Sequence, residues 1–333
     1  MLRAASIGLG WWSDELAAAI QGRSAALRIV SCYSRTPAKR EAFARKFGTL
    51  VHDSYAAVLA DPSIDAVILT TPHSLHAEHV TVAAAAGKHI FVEKPFTLTA
   101  GSGHAAAAAC ERAGVVLAVG HNRRFSAAAR RLREMLGAGA FGTVLHAEAN
   151  FSLPSALGYT PERWRANRIE SPGGAIAGLG IHMIDLLQWL LGPIVRVSAQ
   201  AVRRAAPVDI DDTTSALFAF ESGATGYLGT LFACPRTNYL NIFGTKANAL
   251  AEVDDNRLMV RPAGGPPTLE PLTAVDTLKV ELEEFAAACA GQAVFTVRPA
   301  EAVRDIAVME AMVASAAQGG APIALTANNV RSA

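Results

Sequence analysis

Lys88-His89-Ile90-Phe91-Val92-Glu93-Lys94-Pro95 is the stretch whose reading decides the fold. A bulky, partly β-branched run follows Gly87, which stops an alanine-rich helix, and it ends abruptly in a carboxylate, an amine and a proline. The local order is helix, turn, buried strand. In open parallel sheets ligands bind outside the carboxyl ends of the strands, so Glu93 and Lys94 stand where a cofactor and a substrate would lie. Lys94 is the first candidate for a catalytic group, against the plainer reading of a surface ion pair at a strand end.

Upstream the same grammar repeats. Residues 4–7 lead into Gly8-Leu9-Gly10-Trp11-Trp12-Ser13 and a helix over 14–21, the strand, glycine turn and helix of a dinucleotide-binding unit. Gly8 allows the tight turn, and Gly10 lets a pyrophosphate approach the free N–H groups at the helix start. Ser13 replaces the third glycine with another small residue. A second strand, 27–33, ends in Ser34-Arg35-Thr36-Pro37 with Lys39 following. An NAD site places a carboxylate here for the ribose 2′-hydroxyl; a hydroxyl and cations, with no acid before Glu41, suit a 2′-phosphate instead. NADP is thus the expected cofactor, with NAD as the alternative. A third unit runs from a helix over 55–59 through a strand over 66–70 to Thr71-Pro72-His73-Ser74-Leu75-His76. Thr71, Pro72 and His76 share the sheet edge with Gly8 and Lys94. Short apolar strands alternating with helices make a doubly wound parallel sheet of the Rossmann type, taken to span residues 1–122.

From 123 to 333 the pattern changes to an α+β domain. After a strand over 144–151 and a loop with Trp164 and Arg165 comes a glycine-rich run, Gly173 to Gly180, that enters a helix carrying His182, Asp185 and Trp189 on one face. His182 and Asp185 form a candidate proton relay, and the glycines are read as room for a ligand. Apolar runs between 195 and 260, separated by Gly, Pro, Asn and Asp, read as an open, mainly antiparallel sheet, closed by helices over 276–290 and 299–318.

Composition narrows the function. In 333 residues, 30 Lys and Arg are balanced by 29 Asp and Glu with no basic stripe, which argues against nucleic acid and a membrane surface and for a small-molecule substrate. Cys32, Cys110, Cys234 and Cys289 are scattered with no metal-ligand spacing, so no metal is expected and a reducing compartment is. The start of the chain runs straight into a strand, and a cytoplasmic protein is the expectation.

With Gly8-Leu9-Gly10, Thr71-Pro72, Glu93-Lys94-Pro95 and the Gly-Gly…Gly-x-His-x-x-Asp run in this order, the sequence resembles the Gfo/Idh/MocA family of nicotinamide-dependent oxidoreductases. The resemblance implies that Lys94 assists proton transfer, that His182 is catalytic or substrate-binding, and that the substrate is a sugar, cyclic polyol or dihydrodiol. It also implies homodimers or homotetramers formed through the second sheet. Asn122, Arg123 and Arg124, leaving the last strand of the first sheet, and Arg165 in its loop are candidate substrate contacts. One position departs from the family: the aspartate common four residues before the histidine is Gly178 here. Asp185 matches another acidic position of the motif and is expected to orient His182. A dehydrogenase is the leading reading, and a non-catalytic NAD(P)-binding sensor the alternative.

Overall fold

A computed structural model describes residues 1–325. The described residues form two compact units, one of residues 1–122 with 276–303, the other of 123–275 with 304–325.

The first unit is built on strands β1 (Leu2–Ile7), β2 (Leu27–Tyr33), β3 (Leu50–Val51), β4 (Ala66–Leu69), β5 (His89–Glu93) and β6 (Leu117–Gly120), all parallel, in the order β3-β2-β1-β4-β5-β6. The direction of winding reverses between β1 and β4, the switch point at which such sheets bind dinucleotides. β4 is buried along its whole length, as is β6, which is why these strands read as unbroken apolar runs. The crossovers are α1 (Trp11–Ile20), α2 (Pro37–Phe47), α3 (Tyr55–Ala60), α4 (His76–Ala85) and α5 (Ala100–Ala113). Helix ends follow local chemistry: Ser54 and Thr99 cap α3 and α5 through their hydroxyls, and Gly48 and Gly114 close α2 and α5 in the left-handed region. The sequence places the start of α1 at Asp14, but the helix begins at Trp11, directly on the glycine turn.

The second unit opens with α6 (Ala127–Gly137) and β7 (Val144–Ser152), then α7 (Ile181–Leu191). Strands β8 (Ile194–Val202), β9 (Thr213–Phe220), β10 (Thr225–Leu231), β11 (Thr237–Gly244), β12 (Ala247–Glu252), β13 (Arg257–Pro262) and β14 (Thr268–Leu269) follow. The remaining elements are α8 (Thr277–Cys289), which belongs to the first unit and packs there on α1, and then α9 (Pro299–Ala317) and β15 (Ile323–Ala324). The second sheet has the order β14-β13-β12-β11-β7-β10-β9-β8-β15 and is antiparallel except where β10 runs parallel to β7.

Register separates the two faces of this sheet. Val260, Ala249, Ile242, Ala147, Gly226, Phe218 and Val197 form one cross-sheet row, all buried. The neighbouring row, Met259, Leu250, Asn241, Glu148, Tyr227, Leu217 and Ser198, is partly or wholly exposed, with Leu217 at 61 %. The outer face therefore mixes apolar and polar groups. Among the described residues no helix is long and apolar enough to cross a membrane.

Candidate active site

In the first unit the predicted residues fall along one edge. Ser34 and Arg35 follow β2, Gly8 follows β1, Thr71 follows β4 and Lys94 follows β5, and these strands are neighbours in the order β2-β1-β4-β5. Gly8 has φ +89°, and a Cβ there would stand 2.8 Å from the Thr70 carbonyl carbon and the Thr71 amide, so the turn accepts glycine alone. A Cβ at Gly10 would meet nothing within 4 Å: the space above the start of α1 is open. Ser13 closes the turn, its hydroxyl accepting the Gly10 N–H at 2.8 Å and donating to the Gly10 carbonyl at 2.7 Å. The amides of Trp11 and Trp12 begin a helix and have no intrahelical acceptor. Trp11 is 72 % exposed with its ring 5.2 Å from that of Trp12, whose buried indole N–H has no partner among the described residues. An open cradle, unused amides and an unused indole donor fit a dinucleotide pyrophosphate.

Further along the edge, Glu93 is buried, and its carboxylate accepts the Lys94 amide N–H at 3.2 Å. Its Oε1 would lie 2.8 Å from a Cβ at Gly120 on β6, so the absence of a side chain there leaves room for the acid. Lys94 is half-buried at the strand end and Pro72 half-buried beside Thr71. His76, expected on the cofactor side, plays a different part, for it is fully buried, with Nδ1 2.9 Å from the Pro95 carbonyl and Nε2 3.0 Å from the Thr71 carbonyl. It clamps the loops after β4 and β5 together and presents no surface to a cofactor. Asn122 donates to the Thr277 hydroxyl at 3.0 Å.

In the second unit His182 is buried near the start of α7, its ring centroid 5.9 Å from that of Phe151. The Arg123 guanidinium lies 4.3 Å from the same Phe151 ring and is held by Asp254 at 2.9 Å. Arg165 stacks on Trp164 at 4.3 Å. The turn before α7, Ile176–Gly180, is a π-helix, a form common at functional positions.

One expectation is corrected here. The glycines before His182 make room for the protein itself: a Cβ at Gly178 would reach the Phe232 ring at 2.6 Å, one at Gly174 the Asp211 carbonyl oxygen, and one at Gly180 the Thr230 methyl at 3.1 Å. Phe232 is buried and packs against Tyr159 at 6.1 Å. The position of the family's aspartate is thus closed by a ring that arrives from the end of β10. Asp185 carries a second charge on the same helix. Its carboxylate takes Arg124 in three contacts of 2.6–3.0 Å, with both side chains 1 % exposed, which makes it a buried anchor for α7. Behind it lies Asp305, pushed well above the usual carboxylate range by burial and by the Asp185 charge, with Arg124 opposing; Gln188 donates to it at 2.7 Å. Arg124, expected as a substrate contact beside Asn122 and Arg123, is instead enclosed in this buried pair, and Phe232 carries no motif that marks it in the sequence.

Comparison with known proteins identifies the family and the fold. Residues 2–121 match the family model "Oxidoreductase family, NAD-binding Rossmann fold", and residues 129–250 the model "GFO/IDH/MocA C-terminal domain". D-xylose 1-dehydrogenase (NADP(+)) 2 of Haloferax volcanii is 30 % identical over 297 residues, 86 % of this chain and 89 % of the relative. 1,5-Anhydro-D-fructose reductase of Ensifer adhaerens is 27 % identical, covering 88 % of this chain and 90 % of its own. Among solved structures, a Desulfitobacterium hafniense protein provisionally assigned as an NADPH-dependent oxidoreductase superposes with a TM-score of 0.91 at 32 % identity, over 97 % of both chains. Levoglucosan dehydrogenase in complex with NADH and levoglucosan shares the fold, with a TM-score of 0.87 at 24 % identity over 97 % of this chain and 99 % of that one.

Proposed function

We propose, from the premise that this chain belongs to the Gfo/Idh/MocA family of NAD(P)-dependent oxidoreductases, that it is a dehydrogenase or reductase acting on a carbinol carbon of a sugar, cyclic polyol or dihydrodiol. The observation that carries the reading is the order of side chains along the first sheet: cations after β2, an open glycine turn after β1, Thr71 after β4 and Lys94 after β5. A dinucleotide laid along that edge meets these groups from its adenosine ribose to its nicotinamide.

The nicotinamide, when bound, supplies the hydride acceptor or donor. The chain's own residues do the rest. The Trp11 and Trp12 amides receive the pyrophosphate, Glu93 fixes the backbone from which Lys94 projects, and the Lys94 amine takes the hydroxyl proton as the C–H bond breaks, returning it in the reverse direction. His182 holds and polarises the substrate hydroxyl, with Arg165 as a further substrate contact. Asp185, paired with Arg124, anchors α7. We place the protein in the cytoplasm, in line with its four free thiols, and read the outer row of the second sheet as a homodimer or homotetramer interface. Sedimentation is expected to give a dimer or larger at micromolar concentration, and a stable monomer contradicts that assignment.

The cofactor is NADP(H) in preference to NAD(H), because Arg35 and Lys39 are exposed cations where an NAD site has an acid. Titrating both cofactors tests this, and Arg35→Asp is expected to invert the preference. Turnover of aldoses, inositols and dihydrodiols followed at the nicotinamide absorbance tests the reaction; tight cofactor binding with silence across that panel points to a sensor.

A further inference from the structure

Polar groups gather on the buried face of the second sheet beside Phe151. Phe151 of β7 and Asn238 of β11 are paired in register, on the same face as Ala147 and Ile242. Asn238 is 7 % exposed, and its Nδ2 donates to the Asp254 carboxylate at 3.0 Å. A carboxylate only accepts, so the amide must turn its NH2 group that way. The carbonyl oxygen Oδ1 is left buried, with no partner among the described residues. Buried acceptors are nearly always paired in native proteins, so this one points to a donor from outside the chain.

Arg123 meets Asn238 at a single oxygen. Its Nη2 donates to Asp254 Oδ2 at 2.9 Å, the same atom that takes the Asn238 amide. Its Nε stands 2.9 Å from Oδ1, out of hydrogen-bonding alignment, and Nη1 has no partner among the described residues. The guanidinium lies 4.3 Å from the Phe151 ring centroid, and the His182 ring 5.9 Å from the same centroid. Asp254 also faces Arg236 at 3.6 Å, and Arg236 pairs with Asp255 at 3.1 Å. Two arginines thus face two aspartates, and the cluster adds no net charge.

We propose that Arg123 and Asn238 form a subsite for two neighbouring hydroxyl groups of the substrate, the guanidinium donating to one and Oδ1 accepting from the other, with Asp254 as the positioning residue that holds both and neutralises the arginine. This rests on the reading of His182 as the group that holds the substrate hydroxyl. An uncharged polyol suits the pair and an acid does not. A carboxylate has no hydrogen to give Oδ1, and it would stand beside Asp254 with the charge of Arg123 already neutralised. The subsite therefore selects neutral sugars and cyclic polyols over aldonates and uronates.

The test compares D-glucose, D-xylose and myo-inositol with D-glucuronate and D-gluconate, which carry the acid at either end of the chain, as substrates or competitive inhibitors of the NADP(H)-loaded protein. A neutral compound is expected to bind at least about tenfold more tightly than either acid. Asn238→Ala should raise the KM of the neutral substrate about tenfold with kcat little changed, as for one lost hydrogen bond. Asp254→Asn uncovers the Arg123 charge and should shift the ratio of neutral to acid affinity about tenfold toward the acids; a residue that only supports the fold would weaken both alike. Tighter binding of an acid by the wild type, an unchanged ratio in Asp254→Asn, or an unchanged KM in Asn238→Ala overturns the subsite and leaves the dehydrogenase reading standing wherever a neutral compound is turned over. Cofactor binding without binding or turnover of any of the five overturns both. The wild-type ratio decides the charge argument even where a variant does not fold.

Discussion

Gly8-Leu9-Gly10 in the first unit and Gly173 to Gly180 in the second both run into a helix, yet a side chain added at Gly10 would meet nothing within 4 Å, while one added at Gly178 would meet Phe232 at 2.6 Å. The first run leaves a space beside unused helix amides; the second is filled by the protein's own core. Glycine reports that a side chain has no place and is silent on what takes it. At the first turn the answer is open space, and at the second it is an aromatic ring.

The largest expected effect lies on the strand edge that ends in Lys94. Lys94→Ala should lower the turnover number by ~10²–10⁴ with cofactor affinity little changed, the signature of a lost acid/base group. A raised KM at full turnover would mean that Lys94 only holds substrate, and the contrast between an active edge and a filled turn would weaken. His182→Ala should move both parameters.

The comparison itself is sharpened by a crossed pair. Gly178→Asp forces a side chain into the Phe232 ring, an overpacking of about 1–3 kcal/mol that thermal unfolding reads directly. Adding Phe232→Ala should recover part of the loss, since both changes act on one space. Gly10→Ala should leave the melting temperature unchanged or higher and weaken dinucleotide binding, because its methyl enters the open cradle. If instead Gly178→Asp is as stable as the wild type and loses substrate affinity alone, the second run faces a ligand after all.

What could be read in the sequence was local. The strand over 27–33 and that over 213–220 appear where expected, because alternating apolar runs bounded by turn residues need only neighbours to be recognised. The strand-end residues followed, since parallel topology alone puts them on one edge. Two-residue strands such as β3 and β15 are too short for any period. The partners that redefine the second site are remote: Arg124 lies 61 residues before Asp185, and Phe232 reaches Gly178 only once β10 is paired in the sheet. Helical periodicity in α8 shows that one face is buried, and nothing in it says that the face packs against α1.

The smallest effect probes the buried side of α7. Burial and the Asp185 charge push Asp305 well above the usual carboxylate range, and Gln188, which donates to it, also accepts the Ile194 N–H at 3.2 Å. A carboxyl whose folded value lies above its unfolded one contributes fully to stability below the unfolded value, about 3.9, and loses that contribution as pH rises toward the folded value. Asp305→Asn is neutral at every pH; its carbonyl can accept from Gln188, and its amide can donate as a protonated carboxyl can. The variant should match the wild type in acid and overtake it in melting temperature as pH rises from 5 to 8. A wild type that gains on the variant over that range would mean that Asp305 is ionised and paired, and that the region under α7 is held by a second charged anchor where the strand edge of the first unit is open.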